Sequence, residues 1–194
     1  MITASPKNPV RSFALLALLV ATTLLPVSAN AIQLKSSPDF KMYLQVEGVV
    51  GDVTEPGFEK AIEIVAYSWG ASQSGSFVGG GSGVGKPNFQ DLSMRKYFDA
   101  STPPLLLALA KGTHIPKATL TLVRRVNGAA DKFMVFAATD VLVTSLSTGA
   151  SASEDSGTLV ENVTIAFGQA KLTYKNLDGT TSEVTLNVAG GTAN

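Results

Sequence analysis

The segment Gly80-Gly81-Ser82-Gly83-Val84-Gly85-Lys86 fits the GxxxxGK pattern by which a loop cradles phosphate. That chemistry needs a hydroxyl at the next position, to hold magnesium, and a backbone N–H opening a helix. Pro87 supplies neither, and no strand-then-helix pattern surrounds the glycines. The segment reads as a plain flexible loop. His114 is the only imidazole. A triad would need Ser93 or Ser101 as nucleophile and Asp99 or Asp131 as acid, yet no strained GxSxG elbow is present. His114 directly follows a helix C-terminus, where the dipole favours a positive imidazole, so it reads as structural. Carboxylates are spread without a pair set apart for glycoside hydrolysis, and aromatics at 7% are thin for a sugar cleft. No acidic spacing of the EF-hand kind occurs. Arg124-Arg125 and Arg95-Lys96 read as charges guarding strand edges. The residues therefore point away from an enzyme and call for no metal or cofactor.

Composition narrows the class further. The chain has 194 residues, with Lys+Arg and Asp+Glu equal at 15 each, no Cys, and 45% apolar residues. A real core can be buried, which excludes a disordered chain, and the missing cysteines exclude a disulfide-stapled miniprotein or a zinc finger. No basic excess exists to displace counterions from nucleic acid. Residues 1–31 read as a signal peptide: Lys7 and Arg11 precede the charge-free run Phe13–Leu25, Pro26 breaks it, and Ala29-Asn30-Ala31 offers a small-x-small cleavage site. The run is too short to cross a hydrocarbon core, which needs about 20 residues. Cleavage would remove two cations and leave residues 32–194 as one domain with a net charge of −2, outside the membrane.

Alternation predicts the elements that must position any site. Strands are expected at 41–50, 61–73, 88–98, 115–125, 132–146, 159–175 and 182–188. The 61–73 strand carries apolar residues on both faces and should be covered on both. A slip in the pattern between Phe89 and Leu92 suggests a bulge near Asp91. Asp99–Gly112 is the one helix: Ser101 or Thr102 can cap it, Pro103 or Pro104 fits its first turn, and Gly112 suits its left-handed end. Its apolar run Leu105–Ala110 should lie in a groove. Asn127-Gly128 marks a hairpin, 176–179 a tight turn, and 147–157 a long polar loop. The tail 189–194 should fray or be disordered. The fold class is mainly all-β, a sandwich or barrel of about seven strands with one short α-helix.

Four segments, in order, resemble the Hcp family, the haemolysin-coregulated tube proteins of type VI secretion. They are Tyr43-Leu44-Gln45-Val46-Glu47-Gly48, Ile62 to Gly70 (IEIVAYSWG), Ala108 to Lys117 (ALAKGTHIPK), and Phe167 to Tyr174 (FGQAKLTY). The resemblance implies a β-barrel of two antiparallel sheets with one helix. It implies a homo-hexameric ring, rings stacked into a tube, effector proteins held or chaperoned in the lumen, and contact with the spike and sheath of the machine. It places Gly51, Asp52, Val53, Thr54, Glu55, Pro56, Gly57 and Phe58 where the family carries a loop that reaches the next ring. An aromatic at that loop tip reads as an exposed contact, the alternative being that Phe58 folds back onto the core. A signal peptide is atypical for such a protein, which would otherwise stay cytoplasmic until secretion. The alternative is an exported, periplasmic Hcp-like binding module without tube function. In the ring reading, exposed strand edges of one copy dock on the next until the circle closes.

Overall fold

Extended backbone sends successive side chains to opposite faces. Along the first strand Met42, Leu44 and Val46 accordingly enter the main core, while Tyr43 packs on the other side. The computed structural model describes residues 40–75, 84–126, 128–149, 159–188 and 190–193. The expected leader 1–31, most of the glycine segment, and most of the 147–157 loop lie outside the described residues. The strands are β1 (Phe40–Val46), β2 (Ile62–Ser68), β3 (Ala71–Gly75), β4 (Val84–Phe89), β5 (Leu92–Tyr97), β6 (Ile115–Val126), β7 (Ala129–Gly149), β8 (Val160–Lys175), β9 (Thr181–Asn187) and β10 (Thr192–Ala193). The helix α1 (Thr102–Lys111) lies between β5 and β6.

One antiparallel sheet runs β10-β9-β8-β5-β2-β1-β6-β7, and β8 also pairs with β7. That last pairing closes β8, β5, β2, β1, β6 and β7 into a six-stranded barrel. β8 makes it possible by its length: Val160–Ile165 faces β5, Gln169–Lys175 faces β9, and β7 lines the opposite side. Closure satisfies the barrel strands internally. Free edges among the described residues belong chiefly to the separate β3–β4 ribbon and the β9–β10 extension. This narrows the expected docking of open strand rims.

Several expectations are corrected. The stretch 61–73 is two strands, broken at Trp69-Gly70, and β3 pairs with β4 rather than joining the barrel. The slip expected at Asp91 is the boundary between β4 and β5. The bulge sits in β2 instead, where the register against β5 shifts between Ile64 and Ala66. Ile62 and Ile64 point inward before it and Tyr67 turns to the core after it, so both sets carry apolar residues although Val65 and Ala66 stay exposed. Among the described residues the expected two-sided cover is absent. Val84 to Pro87 of the glycine segment is strand, so Lys86 and Pro87 lie on β4, with no helix following. The tail is not wholly frayed: Thr192 and Ala193 pair with Asn187 and Leu186.

The helix matches its signals with one exception. Pro103 and Pro104 occupy the first turn, where no N–H is needed, and Gly112 ends it at φ +61 with its N–H on the Leu109 carbonyl at 3.1 Å. Ser101 stands at the N-cap without a side-chain capping bond. Only one side of α1 is covered: Leu105 and Ala108 are buried, while Leu106 and Leu107 are 50% and 54% exposed. The barrel offers a face to half of the apolar run, not a groove for all of it. Phe136 anchors the aromatic part of the core, 5.2 Å from the Trp69 ring and 5.3 Å from that of Phe167.

Candidate functional site

The loop from Gly51 to Phe58 connects β1 to β2 and closes on itself before it meets the barrel. Gly51 donates to the Lys60 carbonyl at 2.9 Å, Lys60 to that of Val53 at 2.7 Å, and Phe58 to that of Glu55 at 2.9 Å. Gly57, at φ +83, takes the turn that L side chains resist. Gly51 is needed for a different reason. A Cβ there would fall 2.9 Å from the Ile62 Cα and nearer still to the Ala61 carbonyl. Gly51→Ala is therefore expected to cost about 1–3 kcal/mol, read as a lower denaturant midpoint. Gly57→Ala, which meets open space, is expected to cost about 1–2 kcal/mol, the left-handed penalty alone.

Beyond its own bonds, the loop is pinned to the outer wall of the barrel. Phe58 is buried and stacks on Tyr43 at 4.4 Å with ring planes 24° apart. Lys132 lies 4.8 Å above the Phe58 ring. Lys41 donates to Glu55 at 2.8 Å and Arg125 to the same carboxylate at 3.2 Å. Of the two placements the sequence allowed, Phe58 takes the second and is not an exposed contact. It folds back because Tyr43, projecting from the outer face of β1, needs an apolar cover. The exposed part of the loop is Asp52, Thr54, Pro56 and Gly57.

The hydrogen bond from Lys41 holds the Glu55 carboxyl below the usual glutamate range, and the same bond raises the Lys41 ammonium. Because Glu55 is depressed in the folded state, its pairing stabilises the docked loop fully above the ordinary glutamate pKa of about 4.3. That stabilisation is lost as pH falls through the depressed folded value. The protection of the Val53 and Lys60 amides, taken relative to the intrinsic exchange rate at each pH, is expected to fall below that window in the parent protein. Glu55→Gln is expected to show no such acid step, and an identical step in that variant would assign it to another group.

The triad candidates do not converge. His114 pairs on the surface with Asp140 at 2.6 Å. Ser101 bonds Asp99, Ser93 bonds Thr164, and Asp131 is held by Arg124 and Lys175 at 2.9 and 2.7 Å. The lysine hydrogen bond is the main reason the Asp131 carboxyl is depressed. Asp140 takes φ +54 opposite Gly168, where a Cβ would lie 2.9 Å from the Asp140 Oδ2. A side chain at 168 would have to push the exposed Asp140 carboxylate aside, and with it the His114 pair. Among the described residues no three His, Asp or Glu side chains cluster to hold a metal, and no helix is long and apolar enough to cross a membrane.

The family model for "Type VI secretion system effector, Hcp" matches residues 43–174, from β1 through the loop and helix to β8. The protein hcp1 of Pseudomonas aeruginosa is 43% identical over 136 residues, covering 69% of this chain and 82% of that one. The chain belongs to the Hcp family. Its fold is that of solved Hcp structures as well. Hcp1 from Salmonella typhimurium superposes with a TM-score of 0.68 at 23% identity, covering 80% of this chain and 99% of that one. A further type six secretion system protein superposes with a TM-score of 0.71 at 22% identity, covering 80% and 100%.

Two residues of this Hcp chain escaped the sequence reading. Lys96, expected to guard an edge, is fully buried. Its ammonium bonds Glu161 at 2.6 Å, Asp99 at 2.8 Å and the Tyr97 carbonyl at 2.7 Å, below the start of α1. Alternation held the signal: Leu92, Met94 and Lys96 share one face, as do Glu161, Val163 and Ile165. Lys96 and Glu161 are direct partners in the β5–β8 register. Of the other basic residues, Arg125 ties down the loop, and Arg124 bonds Asp131 and lies 5.1 Å over the Phe133 ring.

Proposed function

We propose that this protein builds the tube of a type VI secretion machine. Six copies close into a ring, rings stack, and effector proteins ride in the lumen towards the spike, inside the sheath. The family match across residues 43–174 carries this reading. A physical observation supports it: Leu106 and Leu107 lie adjacent and half exposed on α1, an apolar surface that association would cover. The protein's part is mechanical, with no bond chemistry assigned to it. The exposed tip of the 51–58 loop, Thr54, Pro56 and Gly57, is the segment offered to the next ring, with Phe58 as its internal anchor and not its contact. Residues 1–31 remain proposed as a leader removed after Ala31, which an intact-mass measurement of the exported protein would read directly.

The test is the mass of the purified protein by light scattering, with negative-stain images. Six copies per particle and annuli are expected. A single copy at every concentration, without annuli, would overturn the ring and favour an exported binding module.

A further inference from the structure

β5 and β8 pair without a turn between them, since α1, β6 and β7 intervene in the chain. In a hairpin the turn sets the register, but at this seam side chains must set it. Hydrophobicity alone does not. On the inner face β5 offers Leu92 and Met94, and β8 offers Val163, Ile165 and Phe167, all buried. Sliding β5 by two residues keeps every side chain on its own face. Met94 would then oppose Ile165 and Leu92 would oppose Phe167, a match as apolar as the observed Met94–Val163 and Leu92–Ile165. β2, the other neighbour of β5, already accommodates a register shift against it between Ile64 and Ala66.

Two polar pairs tell the registers apart. On the inner face Lys96 opposes Glu161, ammonium and carboxylate 2.6 Å apart and both side chains fully buried. On the outer face Ser93 opposes Thr164, their hydroxyls 3.1 Å apart. The slide would set Lys96 against Val163, Glu161 against Phe98 and Ser93 against Ala166. The reverse slide would set Glu161 against Met94. Either one strands two buried charges among apolar neighbours, whereas the observed register pairs them. Glu161 also accepts from the Thr102 hydroxyl at 2.7 Å, and Lys96 donates to Asp99 at 2.8 Å. The same pair therefore indexes the start of α1 to the seam.

We propose that the buried Lys96–Glu161 pair selects the one register in which β5 closes on β8, and with it the stagger of the barrel. Its part is to choose between closures, not to add net stability, because an apolar pair of similar size is about as favourable. The selection acts within one protomer, whatever its assembly.

The chain has no Cys, so introduced thiols report the register without interference. In the full chain, Arg95→Cys with Asn162→Cys joins direct partners of the observed register, both exposed. Tyr97→Cys with Asn162→Cys joins residues that become direct partners only after the slide. In the observed register they stand diagonally, too far apart for an unstrained bridge. Disulfide closure at equilibrium with glutathione, read by peptide mass, is the measurement. In the parent background the first pair should close and the second should not. With Lys96→Met and Glu161→Met, closure of the second pair should rise about a hundredfold, the factor by which a stranded buried charge disfavours the slide. Lys96→Met with Glu161→Leu repeats the test in a second packing. Closure of the second pair that stays at the parent level in both apolar backgrounds, even with Ser93→Ala added, would overturn the proposal. So would failure of both backgrounds to fold, which would assign the pair to stability instead.

Discussion

Lys96→Met is expected to lower the unfolding free energy by about 3–5 kcal/mol, the cost of stranding a buried charge. The ammonium is the main partner of Glu161, whose other contact is the Thr102 hydroxyl at 2.7 Å and whose Oε2 already lacks a partner. Removing the cation leaves that carboxylate in a closed barrel end with one hydrogen bond. It also removes the Lys96 bonds to Asp99 and Thr102, at 2.8 and 3.2 Å, that tie the start of α1 to β5. Amides of α1 should therefore exchange faster in the variant than those of β6. Lys96→Met combined with Glu161→Met should regain most of the loss, because an apolar pair of similar size needs no compensation. Denaturant titrations must be run at one protomer concentration, since assembly adds to apparent stability. A single variant within about 0.5 kcal/mol of the parent would show that the pair is not the closed ion pair described.

Phe58→Ala is expected to release the 51–58 loop at a cost of about 3 kcal/mol, the lower end for deleting a buried phenylalanine ring. Phe58 belongs with Tyr43, Ala61 and Val123 to a small cluster outside the barrel, separate from the main core. Its loss removes the stacked contact with Tyr43 and the seat of Lys132, but no strand pairing. The damage should stay local, and the global loss is capped by the free energy with which the loop docks. Exchange should quicken at Val53, Lys60 and Ala61, whose amide bonds close the loop, while β6 and β8 keep their protection. If all amides quicken equally, the loop is part of the barrel's folding unit and the assignment of a separate cluster fails. Ring formation should survive while stacking weakens, which separates the loop's proposed role from that of the barrel.

What the sequence determined by itself is what depends on near neighbours. Alternation placed β6 to β9 close to their observed ends, since period two is a property of each strand alone. Pro103, Pro104 and Gly112 bounded the helix because each restricts its own backbone dihedrals. The turn at 176–179 followed from local hydrogen bonding. The four motif segments also carry the resemblance to the Hcp family, which the match over residues 43–174 shows. Only the tertiary structure decided the rest. Whether the sheet is a sandwich or a barrel turns on β8 finding both β5 and β7, a pairing across distant chain that no local pattern encodes. The bulge in β2 depends on its register against β5, so the apolar residues on both faces looked like two-sided burial. Lys96 was misplaced and Phe58 left undecided for the same reason: a charge reads as surface, and a loop aromatic can go either way, until a distant Glu161 or Tyr43 arrives to cover it. Burial is a property of the assembled neighbours, and those are set by long-range contacts and not by the residue's own chemistry.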